Sequence, residues 1–193
     1  MRTILPVVRS VLVISIVILH STCGDDPAPT QTLPTACQAQ GVHAIAVLGT
    51  GLTCIPTNAF QNVSEALGPP DFRQTGDGKL EFDGFVSLGV EGSITLFMGS
   101  CIQDLSGTDL RVFQSVSTEA VEVQVSQSET GPFVSLGAKI CDDTCDFDLA
   151  GSGLNNVRVV RVIDRERIQF VNAQCDNVGP SPGADIDAVQ VLH

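Results

Sequence analysis

Asp185 and Asp187 stand two residues apart in the closing segment Gly183-Ala184-Asp185-Ile186-Asp187-Ala188-Val189. Alternate residues of a strand share a face, so an extended segment points both carboxylates the same way. Asp71 follows Pro69-Pro70 and Asp109 precedes Leu110, each where a loop runs into a strand. Asp71, Asp109, Asp185 and Asp187 could together supply the oxygen ligands that a hard cation such as Ca²⁺ requires. The same four residues can instead cap turns by accepting backbone N–H groups. Both readings stand at this level.

The seven cysteines lie at positions 23, 37, 54, 101, 141, 145 and 175. Cys141-Asp142-Asp143-Thr144-Cys145 would hold its two Cα atoms about 13 Å apart in an extended strand, beyond disulfide reach. A turn at Asp142-Asp143 brings them together. A zinc site would need further ligands, and beyond residue 20 the only histidines are His43 and His193, so Cys141–Cys145 reads as a disulfide. The pairing expected for the rest is Cys37 with Cys54, tying down the first strand, and Cys101 with Cys175, joining two loops. It is one of 15 connectivities open to six cysteines.

Catalysis finds little to work with. Two histidines leave scarcely a general base, and there is no His-Glu-x-x-His pair or phosphate-binding glycine loop. Acidic pairs such as Asp142-Asp143 could serve as glycosidase carboxylates, but in so acidic a chain they read as solvated surface. A non-enzymatic protein is expected. Sugar binding by ring stacking is also poorly provided for, because the chain has no Trp and no Tyr. Its nine Phe fall mostly at strand positions. A glycan site would therefore rest on loop groups such as Arg73, Gln103, Asn172 or Asn177.

The elements that must position these groups begin after an export leader. Arg2 and Arg9 precede a run at residues 11–19 broken only by Ser15, the layout of a secretory signal. That run is too short to span a membrane. His20-Ser21-Thr22-Cys23-Gly24 then resembles the lipobox of bacterial lipoproteins, although His20 and Thr22 depart from its usual residues. The resemblance implies that Cys23 is the lipidated first residue, leaving six cysteines to pair in an oxidising compartment. Residues 24–32 lack apolar periodicity and read as a tether. The expected organisation is a signal peptide at 1–22, a lipidated cysteine and tether at 23–41, and one domain at 42–193. The formal net charge is −12, and losing Arg2 and Arg9 makes it more negative still. Such a surface repels nucleic acid and anionic headgroups.

Within the domain, residues 42–48 form a first strand and residues 58–67 a helical turn. Residues 80–82, 85–88 and 93–98 are strands, the last expected to return antiparallel to the piece before it. Leu110, Val112 and Gln114 alternate on one face of the next strand, with Arg111 and Phe113 on the other. Val121, Val123 and Val125 alternate with Glu122, Gln124 and Ser126, the period-2 pattern of a half-buried strand. A polar run ending in Gly131-Pro132 turns the chain, and Phe133 to Leu136 makes a hairpin partner that stops at Gly137. Residues 147–149, 156–163, 167–171 and 184–192 complete the set. In the strand at 156–163, Val159-Val160 breaks the alternation and predicts a bulge or burial on both faces. Short strands with Gly, Pro, Asn and Asp between them predict an all-β fold. Phe-Val-Ser-Leu-Gly occurs at both 85–89 and 133–137, but the flanks differ, so it reads as a shared strand ending rather than a repeat.

Taken in order, Ala66-Leu67-Gly68-Pro69-Pro70-Asp71, Phe85 to Gly89, Gly92 to Leu96, Thr108 to Phe113, the hairpin, Phe147 to Gly151, Val157 to Asp164 and Gly183 to Val189 resemble the discoidin-like, or galactose-binding-like, domain of secreted bacterial proteins. The resemblance implies a single jelly-roll β-sandwich of about eight to ten antiparallel strands. It also implies a structural Ca²⁺ at Asp71, Asp109, Asp185 and Asp187. The function expected is a non-enzymatic envelope lipoprotein acting as a surface binding or adhesion module. The alternatives are a carbohydrate-binding module and a purely structural envelope domain. Its partner would be an envelope protein or a surface glycan, with the membrane reached through the lipid alone.

Overall fold

The computed structural model describes residues 41–47, 55–72, 84–115, 118–165 and 181–193. Nine strands occur among them: β1 Gly41–Val47, β2 Val86–Ser87, β3 Ser93–Gln103, β4 Leu110–Gln114, β5 Glu119–Ser126, β6 Val134–Cys141, β7 Thr144–Phe147, β8 Asn156–Asp164 and β9 Asp185–Val191. They form two antiparallel sheets, one ordered β1-β3-β8-β5-β6 and the other β2-β9-β4-β7. The expected all-β sandwich is what the chain adopts. Short 3₁₀ turns at Asn58–Phe60 and Val63–Ala66 stand where a helical turn was expected. The expected leader, Cys23, the tether and the strands at 80–82 and 167–171 lie outside the described residues.

The alternating residues face each other across the sandwich. Ile94, Leu96, Val121, Val123, Val125 and Val162 from the five-stranded sheet meet Val86, Leu110, Val112, Phe147, Val189 and Val191 from the other. Burial of these side chains away from water is the main drive for closing the two layers. Val160 joins this core while Val159 is buried on the opposite face, so the broken alternation at 159–160 marks a strand covered on both sides. The irregularity of the β3–β8 ladder lies on β3, where four residues between Phe97 and Ile102 stand against the one residue between Val159 and Val157 of β8.

Two pairings differ from the sequence expectation. β3 does not return on the preceding piece; it pairs with β1 and β8, whereas β2 pairs with β9 in the other sheet. Nothing in a strand's own pattern names its partner, because pairing follows from which apolar faces meet. The second hairpin strand also runs on past Gly137 to Cys141. Gly137, at φ +98, sits in a bulge where the register steps from Val123↔Gly137 to Gln124↔Ser135. A glycine that reads as a stop therefore serves as a bulge. β5 lies inside the sheet and β6 forms its edge, leaving Ile140 76% exposed.

β9 is buried along its whole length. Its entry is fixed by two buried carboxylates: Asp164 accepts from Ala184 N at 2.9 Å and Glu119 from Asp185 N at 2.9 Å. The other oxygen of Asp164 accepts from Glu91 N at 2.9 Å, which ties the exit of β8, the entry of β3 and the entry of β9 together. Gly89 N and Ser87 Oγ donate to Pro182 O. At Gly183, φ is +75 and a Cβ would stand 2.5 Å from the backbone carbonyl of Gly89. Replacing Gly183 with Ala is expected to cost about 3 kcal/mol or more, through both the positive φ and the backbone collision. Urea unfolding checks it, and wild-type stability in the variant would contradict this close approach.

Candidate functional site

The first turn of the site is built locally. Asn62 caps the Val63–Ala66 turn by accepting from Ser64 N at 3.2 Å, and Glu65 accepts from Gly84 N at 3.0 Å. Gly68, at φ +93, then reverses the chain. Pro69-Pro70 stiffens the next step by fixing φ, which delivers Asp71 and Phe72 to the end of the four-stranded sheet. Phe72 meets Phe85 edge-on at 5.5 Å between centroids, and Phe85 stacks on Phe60 at 5.3 Å. Gly84 lies so close beneath this loop that a Cβ would come 3.1 Å from Phe72 Cα and 3.3 Å from Asp71 Oδ1.

A bulge in β9 completes the arrangement. Phe113 pairs with Ala188 but Gln114 with Ile186, so Asp187 is the extra residue of the ladder. Asp71 N donates to Asp187 Oδ1 at 3.1 Å. Across the gap the Cys141–Cys145 turn approaches, and Gln114 N donates to Asp143 O at 2.9 Å. Together these elements enclose a cleft of about 320 Å³. Pro70, Phe72 and Phe113 supply its apolar wall, and Gln114, Asp143, Thr144 and Asp187 its polar one. Gln114 is only 5% exposed, and neither Nε2 nor Oε1 of its carboxamide has a hydrogen-bond partner among the described residues.

Asp187 is held far from ordinary carboxylate behaviour. Burial pushes its carboxyl up from 3.8 to about 6, and the adjacent Asp71 charge pushes the same way. The backbone N–H groups of Asp71 and Phe72 oppose this by stabilising the anion.

The four aspartates expected to share one ion do not converge. Asp71 and Asp187 adjoin the cleft. Asp185 is buried beside Ser115, whose Oγ lies 3.3 Å from Asp185 Oδ2. Asp109 precedes β4 at the end opposite Gln114. Four residues of extended chain separate it from the cleft by about 13 Å, far beyond the 2.3–2.6 Å of a calcium ligand. It groups instead with Asp104 and Asp148, whose ligand atoms and its own lie within 4.8 Å of one another. Asp109 is fully buried and caps two loops, accepting from Leu105 N at 3.0 Å and Leu149 N at 2.8 Å. Asp148 accepts from Ala150 N at 2.7 Å. The turn-capping reading thus describes Asp109, while Asp104 and Asp148 are exposed carboxylates beside it. Three carboxylates so placed suit a hard cation in kind, though they are fewer oxygens than the six to eight that Ca²⁺ takes.

Cys141 and Cys145 form the expected disulfide, with Cα atoms 5.3 Å apart. Cys101 is also disulfide-bonded, and its expected partner Cys175 lies outside the described residues. So do Cys37, Cys54, Arg73, Asn172 and Asn177. Gln103 is exposed at the end of β3, away from the cleft. Sequence reasoning passed over Phe72, Phe113, Gln114, Asp143 and Thr144 as site residues. The available signal was Gln114, a polar residue at the buried phase of Leu110-x-Val112-x-Gln114.

No protein-family model and no curated protein matches the chain. Solved structures do. Chitosan-binding module 1 of the chitosanase/glucanase from Paenibacillus sp. IK-5 is 13% identical, at a TM-score of 0.45 over 78% of this chain and 94% of that one. The likeness is to carbohydrate-binding modules. The CBM32 of AlyQ in complex with 4,5-unsaturated mannuronic acid is 11% identical, at 0.41 over 82% and 99%. CpGH89CBM32-5 of Clostridium perfringens, in complex with GalNAc-β-1,3-galactose, is 14% identical, at 0.41 over 78% and 94%.

Because folding raises the pKa of Asp187, the native state binds a proton more readily than the unfolded chain between about pH 4 and 6. The contribution of this group to stability therefore falls as pH rises through that window. Asp187→Asn is expected to flatten that part of the pH–stability profile, followed by thermal unfolding from pH 4 to 7. Parallel profiles for wild type and variant would show that Asp187 is not the group responsible.

Proposed function

We propose that this protein is a non-catalytic glycan-binding module whose ligand seats in the cleft between the Pro69–Phe72 loop and the Cys141–Cys145 turn. The observation that supports the reading is Gln114. Its carboxamide atoms are closed off from solvent and unpartnered among the described residues, which costs about 1–3 kcal/mol, so a ligand that moves the cleft wall aside would gain a donor and an acceptor. Phe72, Phe113 and Pro70 offer the C–H faces of a sugar ring an apolar surface, and Thr144 and Asp187 add hydroxyl-directed groups. A small set of polar groups among apolar walls is the usual make-up of a ligand site. This reading departs from the expectation of a general adhesion module and takes up its alternative. The rest of the proposal comes from the sequence: export, lipid attachment at Cys23, residency at the cell envelope, and a surface glycan as partner.

Replacing Gln114 with Met keeps the volume and removes the unpaired amide. The variant is expected to be more stable than wild type by about 1 kcal/mol and to lose retention on a glycan array. A variant that is destabilised and still retained would show that the carboxamide has no part in binding.

Calcium enters the proposal at Asp104, Asp109 and Asp148, where it would brace the loops at the far end of β4. Wild-type protein is expected to melt at a higher temperature in calcium than in chelator, and the double variant Asp104→Asn, Asp148→Asn to lose the difference. An unchanged wild-type melting temperature would remove calcium from the reading.

A further inference from the structure

We propose that the Cys141–Cys145 bridge is a redox-sensitive clamp on the cleft. Oxidised, it holds the Asp143–Thr144 wall in place; reduced, it lets that wall move while the sandwich stays folded. Its effect on binding rests on the glycan-binding reading. β6 is the edge of the five-stranded sheet and β7 that of the four-stranded sheet. The chain therefore crosses from one layer to the other within Asp142 and Asp143. The bridge closes that crossing, with Cα atoms 5.3 Å apart. Both cysteines are 4% exposed and belong to the core, whereas Asp142, Asp143 and Thr144 between them are exposed. Asp143 and Thr144 line the cleft. Asp143 O accepts from Gln114 N at 2.9 Å, and Asp142 Oδ1 accepts from Thr118 Oγ1 at 3.0 Å.

Reduction forces this corner to give. A disulfide holds its sulfurs about 2.05 Å apart, a separation that two thiols cannot keep. On the core side there is little room, because Cys145 pairs with Val112 of β4 and Cys141 with Glu119 of β5, both buried, and interiors are close-packed. The exposed turn is the part free to move, and it carries two residues of the cleft wall. The chemical step is a two-electron exchange with a dithiol, reached when the turn opens. One thiolate of the dithiol attacks a bridge sulfur and displaces the other as a thiolate, which takes up the proton; the second thiol then releases the first. Two thiols remain on the protein and a cyclic disulfide on the reductant. The fold survives because the bridge spans only three intervening residues, and the stabilisation a disulfide gives through the unfolded chain grows with loop length. Lys139 also links β6 to β7, donating to Asp146 O and lying over the Phe147 ring.

The test is amide exchange by NMR on the full chain in three forms: wild type, wild type with dithiothreitol, and the double variant Cys141→Ala, Cys145→Ala. The variant removes this bridge and leaves the one at Cys101 in place. Exchange at Gln114 and at residues 142–144 is expected to quicken at least about tenfold in both altered forms. Val123 and Val162, paired in the inner strands, are expected to keep their protection. The melting temperature is expected to fall by about 10 °C or less. Retention on a glycan array is expected to drop in both altered forms and to return when wild type is reoxidised. Unchanged exchange at Gln114 would overturn the proposal. So would lost protection at Val123 and Val162, or unfolding of both altered forms, since the bridge would then hold up the sandwich itself. Undiminished retention beside quickened exchange would overturn it as a regulator of the cleft. The expected exchange pattern in a protein that no glycan retains would overturn the glycan reading and leave the clamp standing.

Discussion

The seating of β9 is the constraint on which the rest of the sandwich depends. It occupies the middle of the four-stranded sheet, between β2 and β4, and neither of those strands has the other as a neighbour. Two carboxylates set far apart in the chain, Asp164 and Glu119, receive the backbone N–H groups of Ala184, just before the strand, and of Asp185, its first residue. Buried charges are costly unless bonded, so these acids fix where the strand enters as firmly as apolar packing fixes its face. Asp164 reaches β9 from the other sheet, and through Glu91 N it holds the start of β3 as well. One side chain thus couples both layers.

The same device recurs through the molecule and gives its acidity a structural meaning. Asp109, Asp164, Glu119 and Asp187 each accept backbone N–H groups from segments remote in sequence or from adjoining turns. A chain with twenty-two acidic and ten basic residues might be expected to spend that excess on its solvated surface. Here several of the acids sit inside, serving as junctions for loops that lack regular structure. At Asp187 this duty and the cleft coincide: the residue that bulges from β9 lines the cleft and accepts from Asp71 N.

Much of the strand content was legible because alternation is local. Val121, Val123 and Val125 mark β5, and Leu110, Val112 and Gln114 mark the inward face of β4, from their own spacing alone. Val159-Val160 announced a strand covered on both faces. The partner of β3, the continuation of β6 through Gly137 and the bulge at Asp187 were not legible, since each is decided by a segment elsewhere in the chain. The site suffered most from this. Asp71, Asp109, Asp185 and Asp187 are one residue type at comparable loop-and-strand positions, and only the pairing of β4 with β9 shows that Asp109 and Asp187 stand toward opposite ends of the sheet. Gln114 was visible as a polar residue at a core phase, yet its meaning depended on what faces it.

The place of β9 after the other eight described strands has a kinetic consequence. Until that segment is present, β2 has no strand beside it and β4 has only β7, so the second layer cannot close, and the apolar face of the first stays uncovered. Pairings of such long sequence separation form late, after most of the loop-closure entropy has been met. Synthesis at about 5–20 residues per second therefore delivers a domain that stays largely open until β9 emerges. The strand thus acts as a latch that shuts only after the strands before it have arrived.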